Sequence, residues 1–187
     1  ITILPDSVYE GNETVNVTLS NVSSGATIQD AVGILTITDD ETAPTVTLSA
    51  SATTIAENSG SSITLTATLS GAADENVTVA ISTSGTATEG TDYGTISDIT
   101  ITAGNTTGTA TLTPTDDSLY DGGNETAIVE ISSVSGGGAT ESGTQSQTIT
   151  STDNETAPTV SLSVSAASIA ENSSSTVTVT ATLSGAA

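Results

Sequence analysis

The sequence has 187 residues, of which 22 are Asp or Glu and none is Lys, Arg or His, so its formal net charge is −22. Without cationic side chains the chain cannot form internal salt bridges, and its side chains cannot hold a nucleic-acid backbone or an anionic lipid surface. The absence of Cys and Lys also excludes disulfides and Lys–Asn isopeptide crosslinks. Bound metal ions are the remaining means of reinforcing such a domain.

Order, rather than disorder, is the better interpretation of this acidic composition. High net charge combined with few apolar residues is typical of disordered chains. Here only 12% of the residues are charged, and the apolar residues alternate regularly along the chain. No apolar run is long enough to span a bilayer and no basic segment follows Ile1, so we expect neither a membrane anchor nor a signal peptide in this stretch. We expect it to be an interior piece of a longer protein.

A long internal repeat organises the chain. The string Glu-Thr-Ala-Pro-Thr-Val begins at Glu41 and again at Glu155, 114 positions later, and Ala-Thr-Leu-Ser-Gly-Ala-Ala occurs at 67–73 and at 181–187. A period of this length indicates domains in series, each with its own core, rather than a solenoid of short repeats. The matches predict the end of a preceding repeat, one complete repeat and the beginning of a following repeat, over residues 1–42, 43–156 and 157–187.

Apolar residues alternate with Thr through the predicted complete repeat, as is typical of half-buried antiparallel strands. Gly, Asn, Asp and Ser separate these segments, and no segment has helical periodicity. We therefore predict an all-β fold of tandem immunoglobulin-like antiparallel β-sandwich domains, each of about seven strands. The predicted strands lie at 46–48, 63–69, 77–81, 99–101, 110–112, 128–131 and 148–150.

The acidic residues collect in the turns rather than along the strands. Several such turns of an antiparallel sandwich lie at the same end, and two carboxylates about 4 Å apart repel each other by about 4 kcal/mol at an effective dielectric constant near 20. Since the chain has no cation of its own, a converged acidic tip needs a divalent ion. Oxygen ligands without His or Cys favour Ca²⁺ over zinc, copper or iron. The alternative is that these acids are solvated turn formers, because Asp, Asn and Gly favour turns for local backbone reasons.

Four motifs, in this order and spacing, resemble those of the Calx-beta domain. They are Asp-x-hydrophobic-Tyr-Glu-x-x-Glu-Thr at 6–14, Thr-Asp-Asp-Glu at 38–41, Ala-Glu-Asn at 56–58 and Gly-Thr-Ala-x-x-Gly-x-Asp-Tyr at 85–93. The resemblance covers the predicted complete repeat and both flanking pieces. It implies a seven-stranded sandwich that binds several Ca²⁺ ions at one tip, beside the junction with the next domain. Domains of this family occur in sodium/calcium exchangers, in an integrin tail and in giant bacterial surface proteins.

The resemblance also implies a set of calcium ligands, carried over by position. In the predicted complete repeat these are Glu57, Asp92, Asp117, Asp121, Glu125, Asp153 and Glu155, with the Leu119 carbonyl as a further oxygen. In the preceding repeat they are Asp6, Glu10, Glu13, Asp39, Asp40 and Glu41. Two departures weaken the match in the complete repeat: Asn154 stands where the preceding repeat has Asp40, and an extra Gly at 122–123 lengthens the acidic loop. Fewer or weaker sites there are therefore an open alternative.

We predict a calcium-binding structural repeat of a large extracellular surface, adhesin or fibre protein, in which Ca²⁺ at the domain junction rigidifies the chain. The predicted partners are calcium ions, neighbouring repeats of the same chain and, in a fibre, like chains. The alternative is that the Thr- and Ser-rich sandwich faces bind a ligand or a filament without obligatory calcium. An enzyme is not expected, because the sequence contains no His or Lys base and no Cys nucleophile. Paired carboxylates can serve glycoside hydrolysis, but the sequence offers no aromatic platform for a sugar.

Overall fold

The structure is a computed structural model that describes residues 1–186, and almost all of its regular elements are β-strands. In this range the only helical element is a short 3-10 turn at Glu57–Ser59, and no helix has the length and apolar character needed to cross a membrane. The strands are β1 (Val8–Tyr9), β2 (Glu13–Thr18), β3 (Val32–Ile37), β4 (Thr45–Ala50), β5 (Thr54–Ala56), β6 (Ile63–Leu69), β7 (Ala72–Ala73), β8 (Val77–Gly85), β9 (Ile99–Ile101), β10 (Thr107–Leu112), β11 (Glu125–Ser135), β12 (Thr140–Glu141), β13 (Ser146–Thr152), β14 (Val160–Val164) and β15 (Val179–Leu183).

Two sheets form a sandwich within the predicted complete repeat. One sheet has the strand order β10-β6-β4-β12 and the other has the order β5-β13-β11-β8-β9. Neighbouring strands are antiparallel except at two edges, where β12 pairs with β4 and β5 pairs with β13 in parallel. All seven strands predicted from the alternation are present, as β4, β6, β8, β9, β10, β11 and β13. The predicted all-β sandwich fold is therefore confirmed, and the parallel edge strands β5 and β12 are additions to it.

The alternation of the sequence places small aliphatic side chains between the two sheets. In β6 the residues at 63, 65, 67 and 69 are buried, while the Thr residues between them are half-buried. Leu65 and Val129, from opposite sheets, are fully buried. Tyr93, which is 3% exposed, is the largest side chain in this core. In the described part of the chain every buried aliphatic or aromatic residue lies between Val46 and Ile149. The core therefore depends on close packing of small side chains.

The flanking pieces form short two-stranded ladders, β2 with β3 and β14 with β15. The β14–β15 pair repeats the register of β4 with β6, because Val160 pairs with Leu183 as Val46 pairs with Leu69. Most apolar residues of these ladders are exposed, Leu162 by 72%, while Val15 and Ile37 are half-buried. The repeat boundaries at 1–42, 43–156 and 157–187 stay a prediction, and the last residue of the third piece, position 187, lies outside the described residues.

The strand topology brings several loops to one end of the sandwich. Strands β5 and β13 run in parallel with Ala56 opposite Thr152, so both strands end side by side. Strand β11 runs against both β13 and β8, and its first residue, Glu125, lies opposite Ser151. The ends of β5, β8 and β13 and the beginning of β11 therefore share one end of the sandwich. The loops that carry the acids predicted as ligands in the complete repeat leave from these strand ends.

Candidate metal centre

Glu57, Asp153 and Glu155 form a first carboxylate cluster at this end of the sandwich. Each contributes one carboxylate oxygen, and these oxygens lie within 4.8 Å of one another. Backbone groups hold the side chains in place, since Glu57 Oε1 accepts the N–H of Asn154 at 3.2 Å and Asp153 Oδ1 accepts the N–H of Glu155 at 2.7 Å. All three residues are half-buried. The cluster is therefore an ordered and partly dry group of negative charges.

The carboxylate of Glu155 contains an unsatisfied buried atom. Its Oε1 accepts the Nδ2–H of Asn154 at 2.7 Å, whereas Oε2 is shielded from solvent and has no hydrogen-bond partner in the described part of the chain. Burial, followed by the adjacent carboxylates of Glu57 and Asp153, raises the pKa of Glu155 to about 7. A buried acceptor without a donor needs a partner. A divalent cation fits this place, because the clustered carboxylates of Glu57 and Asp153 supply further oxygen ligands.

Asp92, Asp121 and Glu125 form a second cluster, again with carboxylate oxygens within 4.8 Å of one another. Asp92 lies in the loop after β8, where its Oδ2 accepts the backbone N–H of Thr88 at 2.6 Å. Burial, followed by the charge of Asp92, raises the pKa of Glu125. Burial also raises the pKa of Asp121, with Asp117 as the next contribution. The second cluster therefore has the same need for a compensating cation.

The two clusters adjoin each other. The backbone N–H of Asp121, from the second cluster, donates to Oδ2 of Asp153 in the first at 3.2 Å. The charge of Glu57 also contributes to the raised pKa of Glu125 across the boundary. Six carboxylates thus lie at one end of the sandwich in a chain without Lys, Arg or His. Their oxygens can hold two neighbouring divalent ions.

Asp117 lies beside these clusters but belongs to neither of them. Its side chain is exposed, and its Oδ1 accepts the backbone N–H of Leu119 at 2.6 Å, which closes a local turn. The structure therefore brings together six of the seven acids predicted as ligands in the complete repeat and places the seventh next to them. Their role as calcium ligands stays a prediction.

The six acids predicted as ligands in the preceding repeat line one pocket. Asp39 is central, since its Oδ2 accepts the backbone N–H groups of Glu10 at 2.8 Å and Gly11 at 2.6 Å. The N–H of Glu41, followed by those of Glu10 and Gly11, lowers the pKa of Asp39. The charge of Asp6 raises the pKa of Glu10. Within residues 1–186 no three carboxylates of this pocket approach as closely as those of the two clusters. The acids concerned are Asp6, Glu10, Glu13, Asp39, Asp40 and Glu41.

One acid near this pocket was not predicted as a site residue. Asp74 belongs to the next repeat, yet its backbone N–H donates to the Tyr9 carbonyl at 3.1 Å and its charge contributes to the raised pKa of Glu10. The prediction assigned each pocket to one repeat alone. One feature of the sequence pointed to Asp74: it directly follows the Gly-Ala-Ala segment at 71–73, which recurs at 185–187.

Comparison with known proteins agrees with the motifs. The model of the Calx-beta domain matches residues 1–41 and 39–155. Similar solved structures include an apo-form Calx CBD1 domain, at 19% identity and a TM-score of 0.49, covering 59% of this chain and 98% of that one. Another is CBD12 from CALX1.2, at 20% identity and a TM-score of 0.46, covering 54% of this chain and 41% of that one. No curated protein matches. Because the family model spans most of the sequence, the chain belongs to the Calx-beta domain family.

Proposed function

We propose that this chain is a calcium-binding structural segment of a large extracellular surface, adhesin or fibre protein, in which Ca²⁺ at the acidic end of each repeat rigidifies the junction with the next repeat. The observation that carries this proposal is the buried and unpaired Oε2 of Glu155, whose carboxylate clusters with those of Glu57 and Asp153. The chain has no cationic side chain to satisfy it. Calcium takes six to eight oxygen ligands in a flexible geometry, which suits carboxylates supplied by several loops.

Two ions are expected in the predicted complete repeat. One would be held by Glu57, Asp153 and Glu155, and the other by Asp92, Asp121 and Glu125. Backbone carbonyls, such as that of Leu119, and water would complete each coordination sphere. The ions would neutralise the acidic tip, which allows the loops to stay close together. The negative charge of Asp117, at the edge of the site, would add to the attraction of the calcium ions.

The short linker supports a mechanical role for these ions. Pro44 follows Glu41 by three residues, is less than 2% exposed, and its carbonyl accepts the N–H of Thr140 at 3.1 Å. Little free chain therefore separates the acidic pocket of one repeat from the folded core of the next. The residue before a proline also favours an extended backbone. An ion that fixes Glu41, or Glu155 at the following junction, restricts the linker directly.

We also infer that the chain has no catalytic role. The sequence contains no His, Lys or Cys to act as a base or nucleophile. The acids at the end of the sandwich form two groups of three carboxylates rather than one isolated pair. We propose an extracellular setting because Ca²⁺ is abundant there, and extracellular modules bind it at about 10⁻⁴–10⁻³ M.

Calorimetric titration of the full chain with Ca²⁺ tests the proposal. The variant Glu57→Gln/Glu155→Gln keeps the shape of the first cluster and removes two charges, so we expect it to bind one ion fewer than the wild type. The matched control is Glu130→Gln, which removes a half-buried carboxylate from the middle of β11 at a distance from both clusters. No heat of binding in the wild type, or the same stoichiometry in the double variant, would contradict the proposal.

A second candidate function is binding of a ligand or filament through the outer face of the sheet β10-β6-β4-β12. Adjacent strands place hydroxyl side chains in rows on this face, and β14 with β15 repeats them. Binding that persists in EDTA and is lost on Thr66→Glu, in the centre of the face, would favour this function over the calcium-dependent one. The rows are Thr107-Thr68-Thr47 and Thr109-Thr66-Ser49, repeated as Thr182-Ser161 and Thr180-Ser163.

A further inference from the structure

The first junction between repeats contains a direct backbone contact in addition to the acidic pocket. The two-residue strand β1, within the acidic loop of the preceding repeat, pairs in parallel with β7 of the predicted complete repeat. The next residue along, Asp74, donates its N–H to the carbonyl of Tyr9 at 3.1 Å. The acidic loop therefore adds a short strand to the neighbouring repeat.

The second junction contains the same contact. Leu119 forms an isolated parallel bridge with Ala186, and the N–H of Tyr120 donates to the Ala186 carbonyl at 3.3 Å. Leu119 and Tyr120 occupy the places of Val8 and Tyr9 in the repeated acidic loop. Ala186 lies 114 positions after Ala72, which is the offset of the repeat itself. Two junctions with different loop lengths thus form equivalent pairs.

The ring of Tyr9 packs on a glycine turn of the next repeat. This turn, at 136–138, connects β11 with β12. A Cβ atom added to Gly138 would lie 2.5 Å from Cε1 of Tyr9, so any larger residue at 138 would displace the ring from this position. A Cβ atom added to Gly137 would lie 2.6 Å from Cβ of Ala73, which belongs to the strand that pairs with β1. The turn and the paired strand thus form one surface that receives the Tyr9 ring.

We propose that the apolar-Tyr pair of each acidic loop is a docking element that adds a strand to the next repeat, seats its Tyr ring on that repeat's glycine turn, and so sets the angle between neighbouring repeats. The contacts that cross the junction are backbone hydrogen bonds and apolar packing, whereas the carboxylates of Asp6 and Glu75 bond only within their own repeats, to the N–H groups of Val8 and Gly137. The contacts across the junction therefore form with or without calcium. This inference goes beyond the calcium-binding function and does not rest on it.

Hydrogen exchange at the Asp74 amide measures this docking, because the hydrogen bond of that N–H to Tyr9 crosses the junction. The full chain is measured in EDTA at about 0.15 M monovalent salt. At this ionic strength the Debye length is about 8 Å, which weakens the repulsion between the Glu10 and Asp74 carboxylates. Gly138→Ala is expected to lower protection of Asp74 on the order of tenfold. Gly143→Ala is the matched control, since Gly143 has φ +67° against +61° for Gly138 and nothing within 4 Å of its added Cβ. Gly143→Ala shares the backbone strain of Gly138→Ala but makes no contact with Tyr9, so we expect it to leave the protection of the Asp74 amide unchanged.

The variant Tyr9→Ala separates a lost contact from a misfolded turn. It should lower Asp74 protection as Gly138→Ala does, and adding Gly138→Ala to it should lower protection no further. Equal exchange in Gly138→Ala and Gly143→Ala, or a second full loss in the double variant, would overturn the inference. Calcium titration of the same samples reports on the proposed function separately. Protection of the Asp74 amide in EDTA supports the docking element even if no calcium binds. Protection that appears only when calcium is added rejects it.

Discussion

Removal of calcium is expected to lower the unfolding temperature of the complete repeat by about 12 °C. The structure offers two carboxylate clusters, and each site with a dissociation constant of about 10⁻⁴ M contributes about 1.4 kcal/mol at about 1 mM free Ca²⁺. A repeat of 114 residues has an unfolding entropy of about 0.24 kcal/mol per kelvin. Two occupied clusters together contribute about 2.8 kcal/mol to the free energy of unfolding, which corresponds to a shift of about 12 °C in the unfolding temperature.

Differential scanning calorimetry of the full chain, in about 1 mM CaCl₂ and in EDTA, measures this shift directly. Magnesium at the same concentration is the control, because Mg²⁺ requires near-octahedral geometry and gives up its water reluctantly. We expect Mg²⁺ to recover only a small part of the calcium effect. An unfolding temperature that is the same in calcium and EDTA, or an equal effect of Mg²⁺, would show that the clusters are not calcium sites.

Two further perturbations act on the same end of the sandwich. Because burial raises the pKa of Glu155 from 4.5 to about 7, its contribution to stability in EDTA is fully present below pH 4.5 and is lost as the pH rises through 7. Thermal melts in EDTA at about pH 5 and about pH 7.5 should show this loss, and saturating calcium should remove it. Equal unfolding temperatures at the two pH values in EDTA would contradict the assignment. Glu125→Gln removes one charge from the second cluster, so it should raise the melting temperature in EDTA and reduce the gain from calcium to about 6 °C. Calorimetry of this variant beside Glu130→Gln checks it, since an equal calcium gain in both would exclude Glu125 as a ligand.

The fold could be predicted from the sequence where strands are long enough to show an alternation of apolar and polar residues. Strand β6 shows this best, because four apolar residues and three Thr residues alternate without interruption. Strands β5 and β12 have three and two residues, so they carry no periodic signal. Their pairing depends on parallel contacts with β13 and β4, which lie far away in the sequence.

The candidate site could be predicted only in part. The convergence of Glu57 with Asp153 follows from the ends of β5 and β13, but their parallel pairing was not visible in the sequence. The division into two clusters depends on loop conformation, as the outward turn of Asp117 shows. Asp74 was missed for a different reason. It approaches the preceding pocket from the next repeat, so a reading of one repeat at a time cannot place it.

The departure at Asn154 leads to a test of how each repeat tunes its affinity. Asn154 donates to Oε1 of Glu155 at 2.7 Å and stands where the preceding repeat has Asp40. Asn154→Asp removes this donor and adds a carboxylate beside the first cluster. Ligand charge sets calcium affinity in such sites, so we expect about tenfold tighter binding, together with lower stability in EDTA.

Calorimetric titration of Asn154→Asp beside Asn16→Asp separates a local ligand effect from a general charge effect. Asn16 is exposed on β2 in the preceding repeat, and its substitution changes the net charge by the same amount. A general increase in negative charge would strengthen calcium binding equally in both variants, whereas a ligand position would respond only at 154. Equal affinities in the two variants would therefore show that residue 154 does not tune the first cluster, and the weaker match of this repeat to the motif would have no consequence for calcium.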